Sequence, residues 1–213
     1  FEYIIIDGGS EKETISVIQG NRGYIDKCLS KKDKGIYYAM NNGIKLAEND
    51  LITFLNAGDT VSEDYVDNFI YNIDNSDYIY SGVNLIYSNG KKKKVIPKQI
   101  DDKSEYLQKM PFPHPGLAVK KNCFAELGKF DTKKKITADH QWIIRLLRSK
   151  KIGKRGKFAN VYFQIGGQSN SYNAVFEMYQ TALSFGRKPI VAVFFTIYNL
   201  IVTTYYKIQN HLN

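Results

Sequence analysis

Cysteine is scarce. The chain has two, Cys28 and Cys123, and neither stands at metal-ligand spacing from a partner. A zinc module and a disulfide framework are thereby excluded, and reduced thiols in a cytosolic protein are the plain reading. Low-complexity tracts of the kind that predict disorder are absent, and tryptophan occurs once. Neither a secretion signal nor an initiator methionine opens the chain. It starts at Phe1 on a strand-like run, and we expect the natural protein to begin earlier. The glycine-rich phosphate loop that a sugar-phosphate nucleotidyltransferase needs near its start is missing.

What remains is a chain of 213 residues, 43% hydrophobic and 24% charged, with 16 tyrosines. That size suits one α/β domain with a small C-terminal appendage. We place the domain at residues 1–170 and a helical segment at 171–213. Net charge is +9. The lysines fall in separate clusters, at 31–32, 91–94, 133–135 and 150–157. No aromatic-interleaved RNA signature accompanies them, so they read as solvated loops and not as a nucleic-acid surface.

"FEYIIIDGGS" reads as a strand closed by a loop, with Thr14 as N-cap of a short helix through Gln19. "GYIDKCLS" suits a second strand. Ile36, Met40, Ile44 and Ala47 recur at helical spacing, and "LITFL" is the continuous apolar run of a central strand covered on both faces. This strand–helix–strand pitch predicts a mostly parallel sheet with right-handed crossovers. Residues 63–73 read as helix, and 78–96 as two strands joined at Asn89-Gly90. A short helix near 102–109 precedes "MPFPHPG", a rigid loop with three prolines. "GLAVKK" reads as strand, "ADHQWIIRLLRSK" as helix with Trp142, Ile143 and Ile144 in the core, and "KFANVYFQIGG" as a late strand.

Open α/β sheets bind ligands at the carboxyl ends of their strands, where Asp7 and Asp59 stand. In "LNAGDT", Asp59 suits a hard divalent cation, which needs one or two carboxylates when a diphosphate supplies the rest. An ordinary strand-to-helix turn reads the same way. Asp7 could accept from a nucleobase imide or a ribose hydroxyl, or close an Asx-turn onto Gly9 or Ser10. Asp33, between two lysines, reads by default as a loop charge. Asp139, near a helix start, is favoured there by the dipole and could equally act as general base for a sugar hydroxyl. Arg145 and Arg148 follow it, free to pair with acids or face water. His114 is a substrate contact or an exposed loop histidine. Gly166-Gly167-Gln168-Ser169 is a lid or a simple turn.

Taken in order, "IIIDGGS", "KDKGIYYAMNNGI", "LITFLNAGD", "HPGLAVKK" and "KITADHQWIIRLL" resemble family 2 glycosyltransferases with the inverting GT-A fold. The likeness covers about residues 1–170 and is nearest to bacterial enzymes of exopolysaccharide, capsule and O-antigen synthesis. The resemblance implies a Rossmann-like α/β fold and a nucleotide-sugar-dependent glycosyltransferase of hexosyltransferase type, using a UDP-sugar with Mn²⁺ or Mg²⁺. It implies donor-nucleotide contacts at Asp7, Asp33 and Asn56, metal ligation by Asp59, and Asp139 as catalytic base. It places His114 on the acceptor side, with Gly166 and Gly167 as lid. The chain departs from the family pattern at Gly8, at Glu11-Lys12-Glu13, at Asn56 and Gly58 in the metal motif, and at Gln141. The family's first strand and helix are not in the chain.

Residues 189–206 carry no charge and are flanked by Arg187, Lys188 and Lys207. The run falls short of the roughly 20 apolar residues of a membrane span and is broken by Asn199 and threonines. We expect an interfacial helix over 187–207, with a buried helix or a dimer interface as the competing reading. A peripheral position at the inner face of the cell membrane agrees with a glycan or lipid-linked acceptor. A noncatalytic nucleotide- or glycan-binding module, which the departures leave open, and a sugar-phosphate nucleotidyltransferase are the alternative function classes.

Overall fold

A computed structural model describes residues 1–87, 90–100, 103–164 and 171–211. Strand β1 (Ile4–Asp7) leads through α1 (Lys12–Gly20) to β2 (Lys27–Ser30), which pairs parallel with β1 as the crossover pattern predicts. Helix α1 begins at Lys12 with Glu11 as N-cap, so Thr14 lies inside its first turn and is not the cap. The preceding loop explains the shift: Ser10 is tied back to Asp7, which brings the chain into helical register early.

Helix α2 (Ile36–Leu46) buries Tyr37, Met40 and Ile44, with Ala47 just beyond, while Ile36 is exposed. The buried stripe therefore runs through Tyr37 rather than Ile36. Strand β3 (Leu51–Thr53) is short and stands at the end of its ladder, which corrects the expected central position. Next come β4 (Thr60–Val61), α3 (Tyr65–Ile73), β5 (Tyr78–Tyr80), β6 (Val83–Ile86) and β7 (Lys92–Val95). The stretch 78–96 thus holds three strands. It breaks at Ser81-Gly82, so β5 and β6 enter different ladders. The β6/β7 hairpin forms as expected, with Gly90 at φ 76°; Asn89 lies outside the described residues.

A 3-10 turn at Lys103–Gln108 and another at His114–Gly116 lead to β8 (Leu117–Lys120). Gly116 is required there, because a Cβ would meet the Ser81 carbonyl oxygen at 2.6 Å. Then follow α4 (Lys121–Leu127), α5 (Ala138–Arg148), β9 (Gly153–Arg155), β10 (Val161–Gln164), α6 (Tyr172–Ser184) and α7 (Pro189–His211). Besides the β1-β2 pair, one ladder runs β3-β8-β5-β9 and another β4-β10-β6-β7.

The α/β class holds, with mixed pairing. β5/β9 and β6/β10 are parallel like β1/β2, whereas β3/β8, β5/β8, β4/β10 and β6/β7 are antiparallel. Apolar runs report burial and not direction, and β8 enters between β3 and β5 from a proline-rich loop, not from a helical crossover.

Helix α5 is the centre of the core. Ala138, His140, Trp142, Ile143, Ile144, Leu146 and Leu147 are all buried, which is how a helix enclosed by other elements reads. Trp142 stacks on Phe124 at 4.3 Å, and its Nε1–H donates to the Gly128 carbonyl at 2.6 Å. Arg145 is half-buried and makes no ion pair among the described residues. Its guanidinium donates to the carbonyls of Leu127 and Lys129, both at 2.6 Å. Arg148 donates to the Phe185 carbonyl at 2.8 Å and lies over that ring.

Candidate active site

At the end of β1, the buried Asp7 carboxylate accepts from Gly9 N at 3.2 Å, Ser10 N at 3.1 Å and Ser30 Oγ at 2.6 Å. The bonds from Ser10, then Ser30, hold its pKa below the ordinary carboxylate value. This is the Asx-turn geometry, with a further tie to β2 through Ser30. Asp33 lies against the same loop. Its N–H donates to the Gly8 carbonyl at 3.2 Å, and a Cβ on Gly8 would sit 3.1 Å from its carboxylate oxygens. A small residue at position 8 therefore lets the two loops close together. Asp33 Oδ1 also accepts from Gly35 N at 2.8 Å. Beside it lies a shallow pocket of about 240 Å³, lined by Lys31, Lys32, Lys34 and Tyr38 among others.

Residues Asn56 to Asp59 form a β-turn, with Asp59 N donating to Asn56 O at 3.1 Å. Gly58 takes φ 95° at the third position, which favours glycine, and nothing lies within 4 Å of the place its Cβ would occupy. The turn presents Asp59 half-buried, with Oδ1 accepting from Gln164 N at 3.1 Å. Burial pushes its pKa up, against that one bond. A pocket of about 310 Å³ adjoins it, lined by Thr60, Gln164, Ile86, Lys92 and Tyr162. Among the described residues no three His, Cys, Asp or Glu side chains gather to hold a metal. A lone carboxylate whose Oδ2 makes no hydrogen bond among the described residues suits Mn²⁺ or Mg²⁺ only when phosphate and water complete the shell.

Phe54, two residues before Asn56, links this turn to the rest of the site. It stacks on His114 with centroids 5.4 Å apart. His114 meets Phe130 edge-on at 5.9 Å, and Phe130 packs on Tyr37 at 5.8 Å. His114 is thus buried, which overturns the exposed-loop alternative. Burial pushes its pKa down and the Asp139 charge pushes it up, with burial dominant. Asn41 fixes Phe130 by accepting from its N–H at 3.0 Å and donating to its carbonyl at 2.9 Å.

Asp139 stands on the first turn of α5. Its Oδ1 accepts from His140 N at 2.8 Å and from the Tyr37 hydroxyl at 2.9 Å. The same hydroxyl lies 2.5 Å from the Ile136 carbonyl, so its single proton serves two acceptors in turn. Burial, with the Asp139 charge, drives the Tyr37 pKa far up and keeps the hydroxyl a donor.

Asp7 and Asp33 are therefore brought together, and Asp59, His114 and Asp139 are connected through Phe54, Phe130 and Tyr37. Gly166 and Gly167 lie outside the described residues. Sequence reasoning missed Tyr37 and Asn41. The signal was available for Tyr37, which stands three residues before Met40 and seven before Ile44 on one helix face.

The glycosyl transferase family 2 model matches residues 1–145. The chain belongs to that family. It is a glycosyltransferase, as the sequence motifs imply. It is 27% identical over 183 residues to the PGL/p-HBAD biosynthesis glycosyltransferases of Mycobacterium bovis and Mycobacterium tuberculosis, covering 80% of this chain and 68% of theirs. The solved structure of TarS residues 1–349 from S. aureus superposes with a TM-score of 0.64 at 14% identity. That match covers 90% of this chain and 59% of the TarS chain. The mannosyltransferase PcManGT from Pyrobaculum calidifontis, solved with GDP-Man and Mn²⁺, superposes at 0.62 with 13% identity over 88% of this chain and 55% of its own. These likenesses show the GT-A-type α/β fold. The chain spans less than two thirds of either solved structure.

Proposed function

We propose that this glycosyltransferase moves a sugar from a UDP-sugar to a hydroxyl of a glycan or lipid-linked acceptor, inverting the anomeric carbon, in bacterial surface polysaccharide synthesis. The observation that carries the reading is the setting of Asp139. It is a half-buried carboxylate at a helix start, bonded by Tyr37 and joined through Phe130 to Phe54, which lies between β3 and the Asn56–Asp59 turn. Asp139 takes the acceptor proton as the hydroxyl attacks from the face opposite the leaving diphosphate. Asp33, Asn56 and the loop pinned by Asp7 bind the nucleotide, and His114 packs on the acceptor side. Asp59 holds Mn²⁺ or Mg²⁺, which when bound offsets the negative charge growing on the departing phosphate. TarS has been solved with UDP and with UDP-GlcNAc, which supports UDP as the nucleotide. The test is UDP release from a panel of UDP-sugars with Mn²⁺. We expect turnover that EDTA abolishes and added Mn²⁺ restores. Turnover only with another nucleotide's sugars would overturn the UDP assignment, and turnover surviving EDTA would remove the metal.

The acceptor side involves α7. Among the described residues no helix is long and apolar enough to cross a membrane. Helix α7 is instead polar toward the domain and apolar away from it. Gln108 Nε2 donates to the Ala192 carbonyl at 2.9 Å and to Thr196 Oγ1 at 3.1 Å, Asn199 Nδ2 donates to the Gln108 carbonyl at 3.1 Å, and Thr203 is buried. The outer stripe is Ile190, Phe194, Ile197, Ile201 and Tyr205, all exposed. No acid follows Glu177, whereas Arg187, Lys188 and Lys207 do. An apolar stripe among cations matches an anionic lipid surface at the inner face of the membrane. We expect sedimentation with phosphatidylserine-containing vesicles, weakened by salt and lost in Phe194→Glu. Equal binding to pure phosphatidylcholine, or mass doubling with concentration in place of vesicle binding, would contradict it, the second making the stripe a dimer face.

A further inference from the structure

The residues just before α5 turn their amides onto one carboxylate, and it comes from the C-terminal hairpin that α6 forms by packing against α7. Glu177, on α6, accepts from Lys135 N at 3.0 Å through Oε1, and from Ile136 N at 3.1 Å and Thr137 N at 2.9 Å through Oε2. The Thr137 hydroxyl adds a bond at 3.0 Å, and Lys134 Nζ donates to the Glu177 carbonyl at 3.1 Å. Successive N–H groups that converge in this way form an anion-binding nest, here at the positive end of α5. Burial pushes the Glu177 pKa up, but the backbone donors outweigh it and leave the carboxyl below its ordinary value. Ile136 is the hinge of the arrangement. Its N–H points to Glu177, and its carbonyl shares the Tyr37 hydroxyl with Asp139.

We infer that Glu177 is a positioning residue for the base: its carboxylate fixes residues 135–137, which sets both the Tyr37 hydroxyl and the start of α5 that carries Asp139. This rests on Asp139 being the base. The C-terminal hairpin is then part of the catalytic apparatus, although it lies beyond the stretch that matches the family model. Glu177→Gln keeps the shape but puts an NH₂ against backbone donors. Glu177→Asp keeps the charge and shortens the reach.

The experiment combines amide hydrogen exchange with steady-state UDP release from UDP-sugars, on the full chain. In Glu177→Gln we expect faster exchange at Lys135, Ile136 and Thr137, and kcat lowered about 10–100-fold, as for a misplaced catalytic group. Donor KM should move by no more than about twofold, because the nucleotide loops are untouched. Glu177→Asp should recover part of kcat. Added to Asp139→Asn, Glu177→Gln should cause no further loss, since it acts through Asp139. Unchanged amide protection, an intact kcat, or losses that multiply would each overturn the inference. Should Glu177→Gln not fold, Thr137→Val removes the hydroxyl bond alone and should lower kcat with KM unchanged. Full turnover in Asp139→Asn would refute the base assignment itself, while amide exchange would still report whether the clamp exists.

Discussion

Asp139→Asn is expected to slow sugar transfer by about 10²–10⁴-fold, the usual contribution of a general base, while leaving UDP affinity unchanged. The substitution is isosteric. The amide oxygen can still accept from Tyr37 and from His140 N, the two bonds that locate the carboxylate. What disappears is the basicity, so the loss should fall on kcat and not on donor KM. The surrounding packing should hold, because Trp142, Ile143 and Ile144, which seat α5, are untouched. A variant with an unchanged Tm and near-parental kcat would remove Asp139 from the mechanism.

Asp59→Ala should abolish metal-dependent nucleotide binding at little cost to the fold. Deleting one partner of a desolvated charge contact typically weakens binding by about 2–5 kcal/mol, which is roughly 30-fold or more in affinity. The stability effect is small because two terms oppose. One bond, from Gln164 N, is lost, worth about 1 kcal/mol. Against that, burial disfavours the ionised carboxylate, and removing it relieves that penalty. Thermal unfolding of the two proteins should therefore nearly coincide. A large fall in Tm would make Asp59 a structural residue of the turn.

Much of the fold was legible because its signals are local. The first strand with its Asp-Gly-Gly loop, the β6/β7 hairpin and the core residues Trp142, Ile143 and Ile144 of α5 each announce themselves within a dozen residues. Other features are decided at a distance. Strand β8 reads correctly as a strand, but its antiparallel seat between β3 and β5 depends on the route through the proline loop. The heptapeptide of α4 was missed because it follows β8 without a break. Strands β4 and β9 are two and three residues long and carry no pattern of their own.

The candidate site divides in the same way. Residue type and position left Asp7, Asp59 and Asp139 open between turn or helix-start roles and site roles, and the ordered resemblance to the family is what nominated them. Their neighbours were hidden by sequence separation. Tyr37 reaches Asp139 across 102 residues, and Glu177 reaches Lys135 across 42. His114 lies between two prolines and its sequence leaves a substrate contact and an exposed loop position both open, while Phe54, 60 positions earlier, stacks over it. A polar side chain in a loop-like stretch carries no mark of the ring that will cover it.

The most direct test is calorimetric titration of UDP into the full chain, with and without Mn²⁺. We predict saturable binding that requires Mn²⁺, persists in Asp139→Asn and is lost in Asp59→Ala. Binding that is indifferent to Mn²⁺ and to Asp59 would contradict a diphosphate held by metal at the Asn56–Asp59 turn.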